Sequence, residues 1–172
     1  MQINETPQYD DTENTTGCCP RFNPVGWDDQ LLHFRNKLFV RATTLSVAHM
    51  PVNMGQVFAR TFARIEAAGA GPERQFLVLS RDLSPWKAEH LFAIAKRVPG
   101  SEVVEMSGHF RTRVFEGPYS EQPRWIEQME ALLAARGEAA EAIYFFLTTC
   151  PRCARAYGRN PVVAFARLTD PA

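Results

Sequence analysis

The sequence lacks an excess of either charge and contains no long apolar run. Its 172 residues include 19 lysines and arginines against 19 aspartates and glutamates. Nucleic-acid-binding proteins usually carry a basic excess, so we expect no nucleic-acid partner. No apolar run reaches the roughly 18 residues of a membrane span. Residues 1–16 have neither the basic start nor the apolar stretch of a secretion signal, which favours a cytoplasmic protein.

Cysteine is also scarce, with four residues in the chain. In the cytoplasm, cysteines are more often reduced thiols or metal ligands than disulfides. The remaining composition, with 45% hydrophobic and 11% aromatic residues, is that of a globular protein. We predict a disordered polar tail over residues 1–16, a cysteine-containing loop over residues 17–36 that packs on the domain, and one folded domain over residues 37–172.

Two stretches of the chain, residues 45–55 and residues 112–122, align at an offset of 67 residues. Asn53 and Ser120 occupy equivalent positions, and both are favourable N-cap residues. An amphipathic helix is predicted after each, ending near Gly69 or Gly137. The predicted apolar faces are Phe58, Phe62, Ile65 and Ala68 in the first helix, and Trp125, Met129, Leu132 and Ala135 in the second.

A strand-like apolar run follows each predicted helix, at residues 75–79 and residues 142–147. A short connector and a second run follow in each half, at residues 93–98 and residues 163–168. The order therefore predicts two βαββ repeats related by a pseudo-two-fold axis. The predicted fold class is α+β, with antiparallel sheets and two amphipathic helices around a groove between the repeats.

The second half also carries a short motif, VFEGPY at residues 114–119, followed by the helix predicted to begin at Ser120. This motif in a duplicated βαββ unit resembles the GyrI-like small-molecule-binding family, also called gyrase-inhibitor-like, which has a SOUL-type fold. The resemblance implies a ligand groove and a role in sensing or binding small molecules. A subset of that family hydrolyses strained electrophilic rings, and this chain resembles a cysteine-bearing branch labelled hydrolase.

Glu116 and His49 are the candidate catalytic residues. They occupy equivalent positions at the ends of the two strands that open the repeats. Apolar neighbours raise the pKa of a carboxyl group and suit it to general acid or base chemistry, and imidazole titrates near neutral pH. The alternative is structural: Glu116 favours the positive end of the following helix, and His49 simply ends a strand.

Aromatic residues are the candidate ligand contacts, because each offers a large apolar face and some offer a polar group. The candidates are Trp86, Tyr119, Tyr144 and Phe115. Trp86 is in a connector where it has no core role, whereas Trp125 lies on the packing face of the second helix and is expected in the core.

Cys150 and Cys153 are separated by two residues, the spacing at which two thiolates reach one ion. If Cys18 and Cys19 meet them, four sulfurs are available for a tetrahedral zinc ion. Adjacent cysteines share an ion only with backbone strain, so His33 is an alternative ligand.

Three other interpretations of the thiols stay open. Arg152 and Arg155 favour a thiolate in a dithiol switch. A cysteine nucleophile with His49 or His109 as base is the second, and free thiols packed as small apolar residues are the third. His90 is predicted to lie in a loop without a partner.

The expected function is binding of a small apolar or aromatic organic ligand in the groove, with hydrolysis of an electrophilic substrate as the reaction if there is one. A sensor or sequestering protein without catalysis, and a protein-interaction module with a structural zinc, are the alternatives. No nucleotide cofactor is expected, and the oligomeric state stays open.

Overall fold

The computed structural model describes residues 2–170. The chain divides into two compact units, which we call the terminal unit (Met1–Phe34 with Gly108–Ala172) and the central unit (Arg35–Ser107). Within residues 2–170 no helix is long and apolar enough to cross a membrane. In chain order the elements are β1 (Leu31–Val47), β2 (Met50–Pro51), α1 (Met54–Ala67), β3 (Val78–Ser84), β4 (Lys87–Ala93), β5 (Val103–Glu116), a 3₁₀ helix (Tyr119–Glu121), α2 (Gln122–Ala135), β6 (Ala140–Leu147), α3 (Pro151–Tyr157) and β7 (Pro161–Leu168).

The central unit is built on antiparallel pairs in the order β2-β1-β4-β3. Strand β4 lies between β1 and β3, and all of its residues except Lys87 are buried. A strand paired on both edges and covered on both faces needs apolar residues at most positions. One helix, α1, covers part of the sheet. The core there is formed by Val40, Ile65, Ala70, Val78, Phe92, Ile94 and Val98.

The terminal unit contains a second antiparallel sheet, in which β7 pairs with both β5 and β6. Side chains alternate between the two faces of β7 because the period of a strand is two residues. Val162, Ala164 and Ala166 pack against α2 through Trp125, Met129 and Leu133. The opposite face carries Phe165, whose ring centroid lies 6.4 Å from that of Trp27.

Trp27 fixes the segment before β1 on this second face. It is fully buried, with ring centroids 5.4 Å from Phe22 and 5.5 Å from Phe146. The Thr112 hydroxyl donates a hydrogen bond of 2.6 Å to the Trp27 carbonyl and accepts one of 3.0 Å from the Gln30 N–H. One threonine of β5 thus satisfies two backbone groups of this segment.

The predicted α+β class with two βαββ repeats is wrong. The described residues form mostly antiparallel sheet, and 22% of the chain is helical, in α1, α2, α3 and the short 3₁₀ helix. The strands are longer than the apolar runs indicated: β1 has 17 residues and β5 has 14. Polar residues such as Arg41 and Thr44 continue β1 because partners on β4 bind their side chains. Because these residues are polar, the pattern of apolar residues in the sequence did not show the full length of β1.

The helices also differ from the prediction. Gly69 and Gly137 do end α1 and α2 with positive φ values of 57° and 69°, as glycine allows. Ser120, however, lies in the 3₁₀ helix, and Glu121 is the N-cap of α2. The buried face of α1 is rotated by about one residue from the predicted one and consists of Val57, Thr61 and Ile65. In α2, Trp125 and Met129 are buried as predicted, and Leu133 is buried in place of Leu132.

Candidate functional site

The structure brings the four cysteines together in the terminal unit. Their sulfur atoms all lie within 4.8 Å of one another. Cys18 and Cys19 belong to the segment before β1, Cys150 is the N-cap of α3, and Cys153 lies in its first turn. The Sγ atoms of Cys18 and Cys19 are 3.7 Å apart, so the two remain free thiols rather than a disulfide.

The local sequence explains how α3 presents its two cysteines. Pro151 opens the helix at a position where its missing N–H costs nothing. Cys150 is extended, and its carbonyl accepts a hydrogen bond of 2.9 Å from the Ala154 N–H. Gly158 ends the helix with φ at +68°. The first turn of α3 therefore holds Cys150 and Cys153 on one side.

Hydrogen bonds join the N-terminal segment to α3 around the sulfurs. The Tyr157 hydroxyl donates to the Cys19 carbonyl at 2.6 Å. The Cys150 N–H donates to the Cys19 sulfur at 3.5 Å. Thr16 Oγ1 lies 3.2 Å from the Cys153 sulfur and accepts from the Cys18 N–H at 3.3 Å. Such contacts orient ligand side chains and support their charge.

The four thiols have unequal surroundings. Cys153 is fully buried, whereas Cys18 is exposed. The hydrogen bond from Thr16 is the main cause that lowers the pKa of Cys153 to about 6. Burial is the main cause that raises the pKa of Cys19 to about 12. The cluster therefore holds one thiol that readily ionises, beside one that ionises only when a cation compensates it.

Four thiolates fit a zinc ion, since Cys₄ is a common tetrahedral set for structural zinc. The cluster could hold such a metal ion. His33, the alternative ligand, stacks on His109 with ring centroids 4.5 Å apart and is not a member of this cluster. The donor set available to an ion is therefore sulfur alone.

The predicted catalytic residues lie in different units, and each contacts a different polar side chain. In the terminal unit, Glu116 accepts two hydrogen bonds of 2.9 and 2.8 Å from Arg159. These bonds are the main cause that lowers the pKa of Glu116. In the central unit, His49 Nδ1 lies 2.6 Å from a carboxylate oxygen of Asp82. In the neutral tautomer whose Nδ1–H donates to this carboxylate, Nε2 is the proton acceptor of the ring.

His49 occupies a tight turn that is unusual for its sequence. Ala48 and His49 connect β1 to β2 and have positive φ values of 48° and 68°. Two-residue hairpin turns of this kind favour Asn-Gly, because positive φ strains other residues. The His49 N–H also donates to the Pro85 carbonyl at 2.8 Å. The fold thus holds an exposed His49 beside Asp82 in a conformation that an alanine-histidine pair adopts at a cost.

Large apolar side chains are exposed around this turn, and we call them the hairpin surface. Its members are Leu45, Val47, Met50, Val52 and Trp86. Trp86 is 61% exposed, in the two-residue turn between β3 and β4. Exposed apolar side chains grouped in this way are typical of binding surfaces.

The other predicted ligand contacts are packed in the terminal unit. Tyr144 is buried, and Phe115 stacks on Trp125 with ring centroids 5.6 Å apart. The Tyr119 hydroxyl donates to the Thr149 carbonyl at 2.5 Å, and burial is the main cause that raises its pKa to about 12. Trp125 lies in the core, as predicted.

Sequence reasoning missed several polar residues. His90 was predicted in a loop without a partner, which is wrong. It lies in β4, buried, with its ring nitrogens 2.8 Å from Thr44 Oγ1 and 2.7 Å from Ser80 Oγ. Thr16 and Tyr157 were also missed, because nothing in their own segments shows that they meet the cysteines. The one signal in the sequence for this buried network was the polar pair Glu89-His90, which has apolar residues on both sides.

One comparison with known proteins identifies a family for this chain. A family model described as Bacterial hydrolase matches residues 9–168 of the chain. This match spans nearly the whole sequence, and the chain belongs to that family. The predicted resemblance to a branch labelled hydrolase is confirmed to this extent, and the GyrI-like resemblance stays a prediction. No curated protein matches the chain.

Proposed function

We propose that the chain hydrolyses a small apolar or aromatic electrophile, such as an ester, with His49 as general base. The short contact between His49 Nδ1 and Asp82 carries this proposal, at 2.6 Å. A carboxylate bound to one ring nitrogen orients the imidazole and leaves the other nitrogen free to take a proton. Membership of the bacterial hydrolase family supports the reaction class.

In the proposed reaction, Nε2 of His49 removes a proton from water as the water oxygen bonds to the electrophilic carbon. The leaving oxygen then departs and takes that proton from the imidazolium, so that an ester yields an acid and an alcohol. Asp82 stabilises the transient imidazolium. The hairpin surface supports an apolar substrate, because Trp86 offers an exposed face beside the turn that contains His49.

Ester hydrolysis by the purified chain tests this proposal, with p-nitrophenyl esters of increasing acyl length as substrates. His49→Asn tolerates positive φ and should keep the turn, while kcat falls by at least about 100-fold. Trp86→Ala should raise KM with little change in kcat. His109→Gln is the matched control and should behave as the wild type. Unchanged kcat in His49→Asn contradicts the proposal.

We further propose that the four cysteines hold a structural zinc ion. This second proposal rests on the distances between the four sulfur atoms, which all lie within 4.8 Å of one another. Four protein thiolates would leave no open coordination position for water, so such an ion stabilises the fold rather than the reaction. It would join the N-terminal segment to α3 and add its binding free energy to folding.

Elemental analysis of protein purified without chelators tests the zinc site, and about one zinc per chain is expected. Cys153→Ser and Cys150→Ser should each remove most of the metal and lower Tm. Cobalt substitution should give the intense sulfur-to-cobalt absorption of a thiolate site. His33→Gln is the control, since it removes the alternative ligand and should retain zinc. A metal-free protein whose Tm a chelator does not change would contradict the proposal.

A further inference from the structure

The central unit contains a small pocket that the proposed function does not use. It has a volume of about 200 Å³ and is lined by residues of β1, α1 and the turn at residues 100–102. Pockets for drug-sized ligands usually have roughly 300–1,000 Å³. This pocket is therefore suited to a small ligand of few atoms.

Three arginines and one glutamate give the pocket its charge. Arg41 binds Glu89 at 2.8 Å and lies 3.5 Å from Glu102, so its own charge is compensated. Arg60 and Arg64 are one turn apart on α1, and both line the pocket. Among the ion pairs of residues 2–170, neither arginine has a carboxylate partner. The pocket therefore presents two uncompensated positive charges.

Ser101 adds a hydrogen-bond donor to the pocket from the turn at residues 100–102. Its Oγ atom is buried and has no hydrogen-bond partner within the described part of the chain. A buried hydroxyl without a protein partner is costly, and a water molecule, an ion or a ligand can satisfy such a group in a pocket. The Thr61 hydroxyl, in contrast, donates to the Val57 carbonyl at 2.7 Å. Ser101 thus lines this pocket with a buried hydroxyl that, unlike the Thr61 hydroxyl, has no partner among the described residues.

We propose that this pocket binds the oxyanion of a small molecule, a phosphate or a carboxylate group, through Arg60, Arg64 and Ser101. Guanidinium groups bind such anions with paired, charge-assisted hydrogen bonds, and a hydroxyl donates to a further oxygen. The pocket is independent of the cysteines and of His49, so it is a second site whose existence does not require hydrolysis.

Isothermal titration with inorganic phosphate and, separately, with malonate tests the site, at ionic strength kept constant with sodium chloride. We expect at least one of the two anions to bind wild type with one site per chain. The double variant R60Q/R64Q should weaken binding at least about 10-fold, because it removes both free charges from an exposed helix surface. The double variant R74Q/R97Q removes two arginines of the same unit outside the pocket, and it should bind as the wild type does.

Ser101→Ala separates a specific site from general attraction of anions. It should weaken binding several-fold, and it should raise the Tm of the anion-free protein slightly, because a buried group without a partner is removed. The proposal is overturned if neither anion binds wild type, if R60Q/R64Q binds as wild type does, or if R74Q/R97Q weakens binding equally. Preference for phosphate or for malonate identifies which oxyanion the pocket takes.

Discussion

The Thr16 hydroxyl oxygen lies 3.2 Å from the Cys153 sulfur, although 137 positions separate the two residues in the chain. The same oxygen accepts the Cys18 N–H. One side chain therefore links the N-terminal segment, the exposed end of the cysteine cluster and the buried sulfur of α3. This places Thr16 around the proposed zinc ion without making it a ligand.

Thr16→Val should weaken zinc binding. Valine has a similar shape but cannot hydrogen bond to the Cys153 sulfur, and loss of such a supporting contact typically lowers metal affinity by about 10- to 100-fold. Competition against a chromophoric chelator measures the change. Thr12→Val is the control, because the Thr12 hydroxyl binds Asp10 and not a cysteine. Equal affinity in wild type and Thr16→Val would show that this hydroxyl does not support the site.

Trp27 should be among the most stabilising residues of the terminal unit. Trp27→Ala opens a cavity among Phe22, Phe146 and Phe165 and should cost about 3–5 kcal/mol in the free energy of unfolding. Trp27→Phe should cost much less. In the described residues the indole Nε1 has no hydrogen-bond partner, so replacement by phenylalanine removes no hydrogen bond.

Urea denaturation measures both effects, and Trp86→Ala is the matched control. Trp86 is 61% exposed, so its removal should change the free energy of unfolding by less than about 0.5 kcal/mol. A Trp27→Ala protein within about 1 kcal/mol of wild type would mean that the segment before β1 contributes little to the folded unit.

His90 should make the central unit less stable as the pH falls. Burial between Thr44 and Ser80 is the main cause that lowers the pKa of His90 to about 4. Between that value and the ordinary pKa of about 6.5, the unfolded chain binds a proton that the folded chain excludes. The contribution of His90 to the free energy of unfolding is therefore fully present above about pH 6.5. The free energy of unfolding falls by up to roughly 3 kcal/mol on acidification to pH 4.

The measurement is the free energy of unfolding of wild type and His90→Gln at several pH values between 4 and 7. The variant should lose this part of the pH dependence, whatever its stability at neutral pH. His109→Gln is the control variant, because it removes a partly exposed histidine that stacks on His33 and leaves the contacts of His90 in place. Parallel curves for wild type and His90→Gln would refute the prediction.

Sequence patterns succeeded where the contact is local. The two-residue spacing of Cys150 and Cys153 is the geometry of one helical turn, and the burial of Trp125 and Met129 follows from the helical period. The patterns failed where a partner lies far along the chain. Thr44 is 46 positions from His90, and nothing near His90 shows that a hydroxyl will meet its ring.

The error in fold class has the same origin. Strand β1 continues through Arg41 because Glu89, on the neighbouring strand, neutralises it. A polar residue in a strand is read as exposed or as a break unless its partner is known. Likewise, the strain at Ala48 and His49 follows from a turn that the pairing of β1 with β2 imposes.

Glu89 should be the carboxylate on which the central sheet depends most. It is 6% exposed and lies 2.8 Å from Arg41 and 2.5 Å from Arg81. Burial alone would raise the pKa of Glu89, but the hydrogen bonds from the two arginines outweigh it and lower the pKa. The contribution of this carboxylate to stability is therefore present above the unfolded pKa and is lost as the pH falls through the folded one.

Glu89→Gln leaves two arginines against a neutral buried group and should cost roughly 2–3 kcal/mol, somewhat less than for a fully buried pair because both guanidiniums are partly exposed. Glu105→Gln is the control. Glu105 forms an exposed pair with Arg97, and such a pair contributes about 0–1 kcal/mol. Urea denaturation at neutral pH compares the two variants. At a pH below the ordinary pKa of a glutamate, the difference in the free energy of unfolding between wild type and Glu89→Gln should shrink. Equal stability of the two variants at neutral pH would place Glu89 among ordinary surface charges.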